Sequence, residues 1–476
     1  MCKYACFVFA GLLVLSTTTV SKAAEPSSKL GVGTLPDASS DTGEDGAPEV
    51  MLQGDLADTL YEKGLLTKED WIRLKSRTEK KQVEEEKRFL EEFPIIVGYG
   101  AKGFELKSRD NKYALQIQNR FQFRYSYPER GDLLTASAFM DGPESSFEIR
   151  RARLKVGGHG YRPWIKFYFE IDWAEGGSGT TGAGGGTRLI DWRLSLEKFK
   201  WLQLRIGQWK INYNRERVDS SGKQQFVERS IVNTLFTLDR QQGAMLYGHL
   251  FPGTILDLWY YAGVFTGTGR GTSNNDDDNM MWMGRLQWNF IGRDLEFSQS
   301  DIEYHERPAG SLSFGATTNI SNFTRFSSSG GGTISTAMFP IPTTGRGRYR
   351  VDQLLEETAF KYRGFSLQHE YHWKQIKDSG TGMQTNLMGS YTQIGYFFHY
   401  LIPFIPEELE LALRYAFVDP NVSVASDKNQ EFTSAVNWFI AGHQNKITID
   451  VSHLTLAQPG GELTEQRFRL QYDISF

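Results

Sequence analysis

Four cations crowd six consecutive positions near residue 150: Arg150, Arg151, Arg153 and Lys155, inside "FEIRRARLKVGG", Phe147 to Gly158. Guanidinium and ammonium groups only donate hydrogen bonds, so together they can replace the water that an anion sheds. Such a cluster suits the guiding of small anions, or simply the solvation of a wet wall. Comparable cations stand on the polar side of other alternating stretches: Arg120, Arg124, Lys166, Arg193, Arg205 and Arg285. Glu170, Asp172, Asp191, Glu197 and Asp257 share that side, so the set is mixed in sign. One long connection, "INYNRERVDSSGKQQFVERSIVNTLFTLDRQ", adds Arg215, Arg217, Lys223, Arg229 and Arg240. Its apolar residues Phe226, Ile231, Val232, Leu235 and Phe236 could pin it inside a barrel; an unconstrained surface loop seldom needs them.

Other chemistries find little support. A hydrolytic triad needs Ser, His and a carboxylate gathered on one face. Ser390 and His399 are nine apart, on opposite parities, and no motif joins them. No catalytic residue is therefore assigned and the chain is not expected to be an enzyme. His369 and His372 point to opposite faces of a strand, which argues against a shared metal. "NNDDDN", Asn274 to Asn279, lacks the spacing of a calcium loop and reads as a solvated turn. "GTGRG", Gly267 to Gly271, follows no βα pattern and reads as a turn as well. No metal or cofactor is expected. The formal net charge is −4, with no strongly basic domain, so nucleic acid is not an expected partner.

The elements that hold these cations show a period of two from residue 113 onward. In "YALQIQNRFQFRYSY", Tyr113, Leu115, Ile117, Phe121, Phe123 and Tyr125 oppose Gln116, Gln118, Arg120, Gln122 and Arg124. At the terminus, Phe468, Leu470, Tyr472, Ile474 and Phe476 oppose Arg467, Arg469, Gln471 and Asp473. A soluble sandwich also alternates. However, several stretches run about 10 residues, the length that crosses a bilayer at a tilt. Tyr, Trp and Phe near their ends fit an aromatic girdle. Sixteen candidate strands start near 113, 147, 164, 188, 202, 240, 255, 281, 295, 351, 365, 387, 409, 431, 446 and 465. Long connections (128–146, 175–187, 211–239, 266–280, 305–350) alternate with short ones such as "KFKW" and "IGRD". The expected fold class is an all-β transmembrane barrel of sixteen antiparallel strands with a short helical N-terminal prefix. Sixteen strands leave an aqueous channel.

Ahead of the barrel, residues 1–23 read as a signal peptide, with Lys3, the apolar "FVFAGLLVL" and Ser21-Lys22-Ala23 at the cleavage site. Both cysteines, Cys2 and Cys6, fall inside it, so disulfides and thiol chemistry are not expected. Residues 24–54 are rich in Ser, Gly, Pro and acids and read as a disordered linker. Residues 55–93 read as a periplasmic helical or coiled-coil segment, with Thr67 and Asp70 as a capping box. The heptads that would establish oligomerisation are missing. Residues 113–476 form the barrel. Within "FEIRRARLKV" the apolar parity shifts from Phe147 and Ile149 to Ala152, Leu154 and Val156. A β-bulge at Arg150-Arg151 would absorb the extra residue and turn both arginines to the lumen.

Three stretches resemble the phosphate-selective porins O and P: "FEIRRARLKVGG", "LRIGQWKINYNRE" from Leu204 to Glu216, and "QFVERS" from Gln225 to Ser230. Asn212-Tyr213-Asn214 stands where that family often has Pro-Phe-Gly. The resemblance implies an outer-membrane homotrimer of sixteen-stranded barrels, in contact with lipid, each narrowed by an inward loop. It implies passive diffusion of small hydrophilic solutes, small anions such as phosphate first among them. The expected anion-lining residues are Arg120, Arg124, Arg150, Arg151, Arg153, Lys155, Lys166, Arg193, Arg205, Lys223 and Arg229. A non-selective general porin and a structural or adhesive barrel are the alternatives.

Overall fold

The computed structural model describes residues 57–92, 95–100, 102–128, 145–174, 187–271, 275–292, 295–327, 332–334, 339–340, 347–458 and 460–476. The signal peptide, the linker and most of two long connections therefore lie outside the described residues. The chain divides into two compact units, Met1–Phe89 and Leu90–Phe476.

In the first unit, helix α1 (57–62) ends at Gly64, whose φ of +68° suits a residue without Cβ. Helix α2 (Lys68–Glu92) starts where Thr67 Oγ1 accepts the Asp70 N–H at 3.2 Å. Trp71 fixes the two helices together: it stacks on Tyr61 at 5.1 Å and donates to Asp58 at 2.6 Å. No helix among the described residues is long and apolar enough to cross a membrane, which says nothing of strands.

In the second unit, a short hairpin, β1 (Ile95–Gly100) and β2 (Gly103–Ser108), pairs through β2 with the foot of β3 (Ala114–Tyr127). Sixteen antiparallel strands follow, β3 to β18 (Gly461–Ser475), each bonded to the next. The circle closes where β18 pairs with β3, from Phe468↔Tyr127 to Ser475↔Arg120. Closure gives every strand two neighbours, which the bilayer requires because it offers no other hydrogen-bond partner. Alternation then sorts the side chains. Arg120, Gln122 and Arg124 are buried inward, while Tyr125 and Tyr127 are exposed outward. Outward Phe121 stacks on Phe123 at 6.5 Å and on Phe476 at 6.1 Å, covering the seam.

Fifteen of the sixteen expected strands lie within a few residues of their observed positions. The exception is the ninth. Alternation suggested a start near 295, but the strand (β11) runs Ala309–Ser321. Its "AGSLSFGATTNIS" is built of small and hydroxyl residues whose contrast between faces is weak. "LEFSQSDIEYH" alternates more strongly yet belongs to a connection, residues 292–308. The expected short turn "IGRD" is thus a long segment, and the following connection is 322–348 rather than 305–350. The β1–β2 hairpin was not expected at all.

Candidate functional site

The β4 strand (Ser146–His159) carries the cation cluster. Its pairing with β3 runs Gln122↔Arg151 and then Phe123↔Ile149, so Arg150 is an extra residue, the bulge. Arg150 and Arg151 thereby face the same side. Arg150 donates to Glu228 at 3.0 Å, and Arg151 donates to Gln122 at 2.7 Å with Glu228 3.8 Å away. Arg124 reaches the same Glu228 at 2.8 Å. Burial alone would raise the Glu228 carboxyl, but these three arginines hold it well below the usual carboxylate range.

Glu228 belongs to L3, residues 211–239, which follows β7 (Leu202–Lys210) and lies inside the barrel. Its two short helices are α3 (Arg215–Val218) and α4 (Val232–Phe236). The loop is held from the wall by carboxylates that accept its backbone amides. Glu357 of β12 (Tyr349–Tyr362) accepts the Arg215 N–H at 2.8 Å. Glu370 of β13 (Phe365–Asp378) accepts that of Glu216 at 2.7 Å. Glu431 of β16 (Asn429–His443) takes Ile231 N–H, and Asp450 of β17 (Asn445–Gln458) takes Val227 N–H, both at 2.9 Å. Each bond satisfies an amide that would otherwise be buried without a partner. Apolar side chains complete the anchorage: Val232, Leu235 and Phe236 join a cluster with Met281, Tyr349, Leu355, Ile376 and Tyr391 of the wall. Burying such side chains stabilises by about 1.5–3 kcal/mol each. Gly389 leaves room for Phe236; a Cβ there would sit 2.7 Å from its ring.

L3 leaves open space inside the barrel, in two main cavities. One, about 450 Å³, lies toward the long connections and is lined by Arg124, Arg150, Arg151, Arg153 and Arg229. The other, about 840 Å³, lies toward the short turns and is lined by Arg120, Arg153, Lys155, Arg193, Arg205 and Lys223. A third, about 400 Å³, includes Lys166, which pairs with Glu197 at 2.6 Å. Each of the eleven expected residues lines one of these three cavities. Two residues line both main cavities, Arg153 and Lys210. Arg153 is paired with Glu170 at 3.0 Å and Asp172 at 2.8 Å. Lys210 donates to the Asp219 carbonyl at 2.9 Å and takes no carboxylate among the described ion pairs.

Lys210 was missed as a lining residue although it ends the "LRIGQWK" stretch. It lies five residues after Arg205, so strict alternation sends it to the opposite face. Gly207, at φ +126°, lies between the two. Arg217, Arg240, Arg270, Arg414, Arg467 and Arg469 also face the first cavity. Arg467 and Arg469 stood on the polar side of the terminal strand, and nothing in their spacing marked them as part of this cluster. Among the sites read as bland, Asp276 accepts Ser321 Oγ at 2.7 Å and sits in a turn; Asn274 lies outside the described residues. His369 and His372 do face opposite sides, toward Thr392 and Glu370.

A closed sixteen-stranded barrel with polar cavities and an inward loop is the architecture of an outer-membrane channel. A family model described as phosphate-selective porin O and P matches residues 139–456, well over half of the 476. The chain belongs to the phosphate-selective porin O and P family. No curated protein matches it. Among solved structures, a loop L8 deletion mutant of OmpT, an outer membrane protein of Vibrio cholerae, is similar with a TM-score of 0.50 at 9% identity, covering 77% of this chain and 100% of that one. The outer membrane channel DcaP of Acinetobacter baumannii gives 0.49 at 12% identity, over 78% and 99%. An anion-selective porin from Comamonas acidovorans gives 0.49 at 12%, over 76% and 100%.

Proposed function

We propose that this outer-membrane porin favours small anions, phosphate-like ones included, and passes them by diffusion. The observation that carries the proposal is the junction of the two cavities, where both shared residues, Arg153 and Lys210, are cations. The eleven cations expected from the sequence, with Lys210 added, form a wall that stabilises a partly dehydrated anion in turn as it passes. Glu170 and Asp172 balance Arg153 and keep the anion from being held tightly enough to stop flow. The chain works as a homotrimer, is exported through residues 1–23, and keeps the helices of 55–93 in the periplasm. The barrel's even strand count supports that last placement.

The test is the reversal potential of single channels in a KCl gradient. Anion preference is expected, and it should fall when Arg151 and Arg153 are neutralised together. A cation-selective or non-selective wild type overturns the anion reading and leaves the porin.

A further inference from the structure

Residues 295–308 fold into the barrel from the short-turn end, and their inner part touches L3. Gln299 accepts the Gln225 N–H at 2.7 Å and donates to Gln224 at 3.0 Å. On this segment one side-chain oxygen or nitrogen each from Glu296, Glu303 and His305 lies within 4.8 Å of the others. His305 is buried, and Asp301 bonds its Nδ1. Asp301 is itself fixed by the Gly364 N–H at 2.8 Å, so the ring cannot turn freely. Nε2 is thereby directed at Glu296 Oε2, 3.9 Å away.

We propose that Glu296, Glu303 and His305 bind a divalent transition metal of the Zn²⁺ class, with Asp301 as the group that orients the histidine. Imidazole with carboxylates suits zinc and its neighbours better than Ca²⁺ or Mg²⁺, which favour oxygen alone. A carboxylate behind the ligating histidine is the usual support of such sites. Bond lengths near 2.0–2.1 Å put neighbouring tetrahedral ligand atoms about 3.3 Å apart. The 3.9 Å between His305 Nε2 and Glu296 Oε2 therefore needs only a small closing movement of the Glu296 carboxylate. Lys361 bonds Glu296 through Oε1, Ser298 at 3.0 Å and the Ser300 carbonyl at 2.9 Å, which leaves Glu296 Oε2 on the His305 side. Bound metal would tie the two ends of the segment together and stiffen the support that Gln299 gives to L3. The inference does not depend on the channel's ion preference.

The test is equilibrium dialysis of the untagged, metal-stripped, full-length protein in detergent against ZnCl2, with MgCl2 and CaCl2 as comparisons. One Zn²⁺ per chain is expected, with neither Mg²⁺ nor Ca²⁺ competing at tenfold excess. Glu303→Gln, at an exposed position, should leave the barrel folded and weaken binding at least about tenfold. His305→Gln should weaken it further, and X-ray absorption should show one nitrogen-type ligand among oxygens. Absence of saturable Zn²⁺ binding overturns the proposal. So does stoichiometric binding that Glu303→Gln and His305→Gln both leave unchanged, which would place the metal elsewhere.

Discussion

Neutralising Lys210 as Lys210→Met tests the junction directly. The side chain keeps its length and loses its charge together with its hydrogen bond to the Asp219 carbonyl. Because no carboxylate pairs with it among the described ion pairs, no buried anion is orphaned by the change. Arg153→Met would be less clean, since it strands Glu170 and Asp172. An ion passing roughly 5 Å from a unit charge in water feels about 0.8 kcal/mol. Removing the charge weakens attraction for the anion and repulsion for the cation, so their ratio moves by about 1.6 kcal/mol. Screening at 0.1 M salt, with a Debye length of about 10 Å, trims this to about 1 kcal/mol. The anion-to-cation permeability ratio should therefore fall roughly five-fold, read from reversal potentials in a KCl gradient. A narrower, drier junction would give a larger fall. An unchanged ratio would remove Lys210 from the ion path and refute the reading of the two cavities as one route.

Two further tests concern L3. Burial pushes the Glu216 carboxyl up to about 7, against Arg414 and with help from Glu370. A raised carboxyl stabilises the docked loop fully below its unfolded value near 4.5 and loses that contribution as pH rises through about 7. The shift is worth up to about 3 kcal/mol. Single-channel noise should rise between pH 6 and pH 8, and Glu216→Gln should flatten this; equal pH dependence in the variant would show that Glu216 is not the cause. Phe236→Ala removes a ring 1% exposed, at a cost of about 3–5 kcal/mol to loop docking. Unit conductance should increase while the barrel's strand pairing, followed by far-ultraviolet circular dichroism on heating, changes little. Unchanged conductance would mean that L3 does not narrow the channel.

The period-two signal revealed the barrel because each strand separates lipid from water, and that contrast is written in every second residue. It failed at β11, where Ser, Gly and Thr face inward and few large apolar residues face out. There the segment 295–308 mimicked a strand in sequence only: Gln299, Ser300 and Asp301 are buried in succession, so its alternation does not sort two faces. The Arg150 bulge was legible because the parity shift from Ile149 to Ala152 requires one extra residue. Lys210 was not, because its face depends on local geometry around Gly207 and on where L3 leaves space. The grouping of Arg414, Arg467 and Arg469 with Arg151 was equally hidden: they come from strands brought near by closure, and spacing along the chain carries no trace of that.

The mixed charge of the lumen also acquires a different meaning once L3 is in place. Taken along the sequence, acids and bases cancel around a common wall. In space they are divided by task. Glu357, Glu370, Glu431 and Asp450 accept L3 amides, and Glu410 accepts Gln225 Nε2 at 2.7 Å. These carboxylates stand on β12, β13, β15 (Leu409–Asp419), β16 and β17, the side that the loop docks against. Gly395 makes the last contact feasible, because a Cβ there would lie 2.1 Å from the Gln225 amide nitrogen. The wall that stays open combines β3 to β8 (Arg240–Leu250), where Arg120, Arg151, Arg153, Lys155, Arg205 and Lys210 lie, with the ends of β15 to β18, which bring Arg414, Arg467 and Arg469. Docking the loop thus covers Glu357, Glu370, Glu410 and Asp450, while Glu228, Asp239 and Glu431 stay among the more numerous cations of the first cavity. A near-neutral barrel can in this way present a locally positive passage, because selectivity depends on which charges the ion meets and not on their sum.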